Sequence, residues 1–206
     1  MTPITLIILL ITTGVSILAF QKEDLFAKLR FNAWLINHRK QGYRFLSYGL
    51  IHADWIHLLI NMFVLYSFGP FVEMAYRAVF GLKGIFYYIL LYVGAIAFST
   101  ISSYAKHKDN QYYNAVGASG AISAIVFAAV IFNPLAPLGI LFIPISIPAV
   151  LFAFLYLVYS AYMSKRGEDN IGHDAHFWGA IFGFAFTIAL KPSLVAHMIN
   201  EISQAF

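Results

Sequence analysis

The sequence predicts an all-α protein that crosses a membrane several times, and three observations carry that expectation. Hydrophobic residues make up 61% of the 206 residues and charged residues only 11%, against roughly 45–50% and 25% in soluble globular chains. That leaves too little polar surface to coat a water-facing exterior. From Asn110 to Ser164 there is no Asp, Glu, Lys, Arg or His, a run longer than a soluble core helix tolerates. The apolar segments are also continuous and do not alternate at every second residue, which favours helices over a lipid-facing barrel.

A bilayer core of about 30 Å takes roughly 17–25 apolar residues per helix. Cutting the chain where charge, Pro and Gly cluster leaves six predicted spans. The first, Ile4–Phe20, follows an N-terminus without a basic stretch and precedes no small-residue cleavage site, so it reads as a retained helix and not a signal peptide. A long connector, Gln21–Asp54, mixes Lys22, Glu23, Asp24, Lys28, Arg30, Arg39 and Lys40 with Phe26, Leu29, Phe31, Trp34 and Leu35, a composition suited to the membrane interface. The second span is Trp55–Tyr76, the third Gly84–Tyr104 and the fourth Ala115–Phe132. Asn133–Pro137 is a tight break. The fifth span, Leu138–Met163, contains Pro144 and Pro148, which remove backbone donors and are expected to bend it and make it the most mobile helix. Ser164–Gly172, with two Lys/Arg, two acidic residues and two glycines, reads as a hydrated, flexible connector. The sixth span is His173–Leu190. Nothing remains for another domain, so residues 1–206 are expected to form a single transmembrane domain.

Composition also excludes function classes. Zero cysteines remove a disulfide framework, a thiolate nucleophile and Cys-ligated zinc or iron–sulfur clusters. The net charge of +4 sits in short connectors between apolar runs, which suits lipid headgroups and not nucleic acid.

Ionisable and strongly polar groups are expensive in hydrocarbon, so those found there carry information. His57 and Asn61 near the start of the second span share one helix face at i, i+4 spacing, so both can donate toward one point; a helix-packing polar pair is the plainer reading. Gly117-Ala118-Ser119-Gly120 opens the fourth span. Ser119 alone would often bond a carbonyl one turn back, but flanking glycines leave its hydroxyl open, and free N–H groups at a helix start can receive a developing negative oxygen. Gly120, Ala124 and Ala128 give that helix a thin face. In the sixth span His176, Gly179 and Gly183 fall on one stripe, where a Gly-xxx-Gly pattern admits close approach of another helix. If that partner is the thin face of the fourth span, His176 reaches the depth of Ser119. A serine, a histidine and a separate donor pair at one depth are the parts of an acyl-transfer site.

In this order, His57-xxx-Asn61, Gly117-Ala118-Ser119-Gly120 and Ala175-His176-xx-Gly179-xxx-Gly183 resemble the rhomboid family of intramembrane serine proteases, with Arg44, Glu73 and the interfacial first loop as supporting matches. The resemblance implies a six-transmembrane-helix rhomboid-like bundle with a Ser–His dyad, Ser119 as nucleophile and His176 as general base and then acid. It implies an oxyanion site made of the Ser119 N–H with the side chains of His57 and Asn61, an open approach at Gly117, and supporting roles for Gly120, Gly179 and Gly183. No cofactor or metal is implied. The implied partners are the lipid bilayer and single-spanning membrane-protein substrates, cut in or near a transmembrane segment. Two departures stand out: Ser123 occupies the position one turn after the serine where an aromatic often packs against the histidine, and Tyr43 stands where Trp is common. Asp174 lies two residues from His176, on another side of the helix, and reads as a cap or loop residue.

The resemblance also implies a catalytic face outside the cytoplasm, as in a cell inner membrane. Ten Lys/Arg would then lie outside and only Arg77, Lys83 and Lys191 inside, against the positive-inside rule; snorkelling in interfacial loops accommodates them. Metallo- and aspartyl-protease readings lack a His-Glu-x-x-His motif and paired intramembrane aspartates. An inactive rhomboid-like client-binding protein would usually lack the serine or the histidine. A small transporter or channel would need a polar route through both halves of the bilayer. Oligomeric state stays open.

Overall fold

The computed structural model describes residues 2–140, 143–166 and 172–205. Helix α1 (Pro3–Gln21) is followed by three short helices of the first loop, α2 (Glu23–Leu29), α3 (Ala33–Arg39) and α4 (Arg44–Ser47). Then come α5 (Trp55–Phe80), α6 (Lys83–Ser99) and its continuation α7 (Ile101–His107), α8 (Ser119–Phe132), the strands β1 (Pro137–Ile140) and β2 (Ile143–Pro148), α9 (Ala149–Arg166), α10 (His173–Leu190) and α11 (Ser193–Ser203). Five of the six predicted spans appear as helices. Pro3–Gln21, Trp55–Phe80 and Lys83–His107 are each long and apolar enough to cross a membrane, which makes this an integral membrane protein.

The fifth span is corrected. Residues 138–140 and 143–148 are not helix: Pro137 pairs with Pro148, Leu138 with Ile147 and Gly139 with Ser146 in an antiparallel pair of strands, and the helix begins only at Ala149. The reason is local. A residue before proline is pushed from the α toward the β region, so Ile143 and Ile147 are extended, and their branched side chains favour strand. Pro148 then immediately precedes a helix, where its missing N–H costs nothing. The prolines therefore do not bend a helix; they delay its start. Of the Ser164–Gly172 connector, residues 167–171 lie outside the described residues.

Helix α8 is the centre of the bundle. Every residue from Gly120 to Ile131 is buried, and α5, α6, α9 and α10 pack around it. Its neighbours on α10 touch it backbone to backbone: a Cβ at Gly179 would run into the carbonyl of Gly120, and one at Gly183 into that of Ala124. The thin face expected on the fourth span is thus the one that α10 uses. The pairs Gly120–Gly179 and Ala124–Gly183 make α8 and α10 parallel, so both begin at the same end as α5. At the far end of α5 the buried carboxylate of Glu73 accepts from the N–H groups of Ile4 (3.2 Å) and Thr5 (2.8 Å) and from the Thr5 hydroxyl (2.8 Å). It caps α1 with a negative charge where the helix presents free donors.

With 14 residues, α8 is about 21 Å long at about 1.5 Å per residue, short of the roughly 30 Å apolar core. A helix this short, packed among longer ones, cannot by itself reach both surfaces of such a core.

Candidate active site

The first loop fixes the frame. Arg44, only 4% exposed, donates to the carbonyls of Ala27 (3.0 Å) and Arg30 (2.6 Å) and to Gln41 Oε1 (2.6 Å), so one guanidinium closes α2 and ties it to α4. Phe31 exchanges backbone hydrogen bonds with Ala115 (2.9 and 3.1 Å). Asn32 caps α3 by accepting from the Leu35 N–H (2.8 Å) and reaches across to the carbonyls of Gln111 and Tyr113. The loop therefore holds the strand of chain that delivers Gly117.

At Gly117 two requirements coincide. Its φ is +115°, a region that residues with a Cβ avoid, and a Cβ there would sit 2.7 Å from Cε1 of His57. Its N–H donates to the Tyr48 carbonyl (3.0 Å), while the Tyr48 hydroxyl donates to the Ile96 carbonyl (2.7 Å) and meets Ser99 Oγ (2.9 Å). Ser99 in turn lies where a side chain at Gly120 would go. Gly117 and Gly120 are thus small because His57 and Ser99 fill the space beside them.

Ser119 is the first residue of α8, and no side chain caps that helix; its opening N–H groups face the site. Gly120 next to it lies under the Ala175 carbonyl of α10, 3.2 Å from where its Cβ would be, and under Gly179. Ser119 and His176 therefore each adjoin in sequence a residue of this close α8–α10 contact, and both are half-buried. Across from them His57 enters from α5. Asp54 caps that helix by accepting from the His57 N–H (2.7 Å), and Nδ1 of His57 accepts from the Ala53 N–H (3.4 Å). That assigns the ring proton to Nε2, the nitrogen beside Gly117. Asn61 is buried and donates one amide hydrogen to the His57 carbonyl (2.8 Å), which leaves its second hydrogen for another acceptor. Hence Ser119, His176, His57 and Asn61 lie in the first two turns of α8, α10 and α5, which begin at one end of the bundle, with the glycines at 117, 120, 179 and 183 each occupying a close approach.

Two residues were missed by the sequence reading. His52 is fully buried. Its Nδ1–H donates to Ser16 Oγ (3.0 Å), whose own hydrogen goes to the Leu50 carbonyl, and its Nε2 accepts from the Ala118 N–H (3.5 Å). Burial and the neighbouring His57 ring push its pKa down to about 3, against a smaller opposing pull from Asp54. It is a neutral strut between α1 and the residue before Ser119. A histidine five residues ahead of His57 was the available signal. The other is Tyr156 of α9, whose ring stacks on His176 at 6.3 Å with 20° between planes; a tyrosine in an apolar span gives no such signal. Asp174 is corrected as well: it is not a cap but a clasp, accepting from Lys106 Nζ (3.1 Å), Ser103 Oγ (3.3 Å) and Ser164 Oγ (3.1 Å). Among the described residues no cluster of His, Asp and Glu could hold a metal ion.

Known proteins match this chain over most of its length. The chain is 29% identical to Rhomboid-related protein 1 of Caenorhabditis elegans over 80% of its length. It is 29% identical to the mitochondrial RHOMBOID-like protein 12 of Arabidopsis thaliana over 63%. To the mitochondrial Presenilin-associated rhomboid-like protein of Homo sapiens it is 28% identical over 64%. It spans 44%, 40% and 34% of those relatives' own lengths. The model of the Rhomboid domain matches residues 39–193, a stretch that takes in the Arg44 loop, the His57–Asn61 face, the Ser119 turn and the His176 helix, and on that match the chain belongs to the rhomboid family.

Proposed function

We propose that the chain is an intramembrane serine endopeptidase acting through a Ser119–His176 dyad. The observation that carries this reading is the seating of Gly179 and the Ala175 carbonyl on Gly120, which brings the chain at Ser119 and the chain at His176 together at the end of the bundle where α5 begins with His57. In the proposed reaction Ser119 Oγ attacks the scissile carbonyl carbon as His176 takes its proton. The tetrahedral oxyanion is received by the Ser119 N–H, His57 Nε2–H and the free Asn61 amide hydrogen. The C–N bond then breaks as His176 returns the proton to the leaving amine, and water, deprotonated by the same imidazole, hydrolyses the acyl-enzyme.

Peptide hydrolysis needs water, and the half-burial of Ser119, His57 and His176 in the first turns of α8, α5 and α10 supports a hydrated recess. The proposed substrates are single-spanning membrane proteins, and the proposed unit is one transmembrane domain over residues 1–206 that needs no cofactor. By the family resemblance the site-bearing end faces away from the cytoplasm; the mitochondrial names of the plant and human relatives give no support to a cell inner membrane in particular.

The test is labelling of the purified chain in proteoliposomes with a fluorophosphonate, alongside cleavage of a single-spanning substrate. Ser119→Ala and His176→Ala are expected to abolish both with the fold retained. Asn61→Ala is expected to slow cleavage by about 10²–10³-fold, the usual worth of one oxyanion donor. Undiminished cleavage in Ser119→Ala or His176→Ala overturns the dyad.

A further inference from the structure

On α8 the position one turn after the nucleophile is Ser123, too small to pack against an imidazole. The structure fills that gap from another helix. Ser123 Oγ and the Tyr156 hydroxyl lie 2.7 Å apart, and the Tyr156 ring, reaching in from α9, lies nearly parallel to His176. Phe127 and Phe152 also pack against the same ring, each at 5.8 Å. The tyrosine is therefore held at both ends: its hydroxyl on the buried Ser123 of α8, its ring against two phenylalanines.

We propose that Tyr156, pinned by Ser123, is the positioning residue that orients the His176 imidazole toward Ser119, so that α9 supplies an orienting ring that α8 lacks. The inference rests on the protease reading. An imidazole is free to turn about two side-chain bonds, and its use as a base requires one nitrogen aimed at the serine hydroxyl. His173 closes the second side, its ring edge-on to His176 at 5.9 Å, with Tyr159 of α9 edge-on to His173 at 5.4 Å. Tyr156 and Tyr159, three residues apart on one face of α9, thus form an aromatic wall along the first turn of α10. Asp174 stays out of this arrangement because its carboxylate is held by Lys106, Ser103 and Ser164. A consequence follows for α9: when that helix is displaced, the base loses its rest.

Two readouts test this, one of them independent of activity. The ring signals of His176 in the isotopically labelled full chain, assigned by their loss in His176→Gln, are expected to move and to titrate at a different midpoint in Tyr156→Leu, which keeps apolar volume without a ring, and to broaden without a shifted midpoint in Tyr156→Phe, which keeps the ring and loses only its anchor on Ser123. In parallel, fluorophosphonate labelling of Ser119 is expected to slow roughly 10–100-fold in Tyr156→Leu, as misplacement of a reacting group by about 1 Å does. The pH profile should shift and KM for a membrane substrate should change less than about twofold, while Tyr156→Phe keeps most of the rate. If Tyr156→Leu fails to fold, Ser123→Ala, which frees the hydroxyl anchor alone, is expected to broaden the same His176 signals. Unmoved signals in Tyr156→Leu or, in its place, in Ser123→Ala overturn the proposal whatever the activity. Responsive signals in a chain whose Ser119 never labels overturn the protease reading and leave the positioning role standing.

Discussion

At the scale of single residues the site depends on what is missing from Gly117 and what is neutral at His52. Gly117→Ala places a Cβ against the His57 ring and forces a φ of +115°, a strain on the order of 1–3 kcal/mol. We expect a lowered thermal midpoint in detergent and a larger loss of fluorophosphonate labelling, because the displaced ring is the proposed oxyanion donor. His52 gives a pH dependence. In the unfolded chain it titrates near 6.5; in the fold it titrates near 3. Above pH 6.5 both states are neutral and its contribution is complete. As pH falls from 6.5 toward 3 the unfolded chain takes up a proton that the folded one refuses, so stability is lost across that window. Between pH 7.5 and 5, above most carboxylate titration, the midpoint of the wild type is expected to fall more steeply than that of His52→Gln; equal slopes would remove His52 as the cause.

At the scale of elements the decisive contact is α8 against α10. Gly183 touches no reacting group, yet a Cβ there would lie 2.6 Å from the Ala124 carbonyl carbon. Gly183→Ala is expected to cost about 1–3 kcal/mol through overpacking and to reduce activity by spreading the two helices that carry Ser119 and His176. Gly14→Ala, in α1 with open space around it, serves as the control and should be neutral or slightly stabilising. Helix α9 sits differently. It exposes Phe154, Leu155, Val158 and Tyr162 and begins at a crevice of about 190 Å³ shared by Ser67 and Phe71 of α5, Ala149 and Leu138. With no native cysteine, Ser67→Cys and Ala149→Cys can be tethered cleanly with a short bifunctional thiol reagent. The tether is expected to block cleavage of a membrane substrate while leaving fluorophosphonate labelling intact, since a small probe needs no helix to move. Cleavage that survives the tether would place substrate entry elsewhere.

At the scale of the whole molecule, helices of unequal length put polar chemistry inside an apolar slab. Helices α1, α5 and α6 with α7 are long enough to cross the bilayer, while α8, with 14 residues, is shorter and begins at the end of the bundle proposed to carry the site. Ser119→Cys is therefore expected to react with a water-soluble methanethiosulfonate added to the site-bearing side, whereas Ala128→Cys, about 13 Å further along the helix and fully buried, should not. Equal reaction of both would mean water reaches through the bundle, as in a channel.

The sequence by itself determined the helical class and five of the six spans, and it singled out the polar residues of the proposed site, because hydropathy and the i, i+4 period are local properties that lipid enforces strictly. It misled at residues 138–140 and 143–148, where the apolar signal of a span and the backbone preference of prolines conflict and the prolines win. Only the tertiary structure decided that His52 braces Ala118, that Asp174 clasps Lys106, Ser103 and Ser164, and that the ring facing His176 comes from α9. Ser123 and Tyr156 are 33 residues apart, and nothing in the spacing of either along the chain tells which neighbouring helix will stand beside it; that is settled by how closely glycine lets α8 and α10 approach and how much room remains for α9.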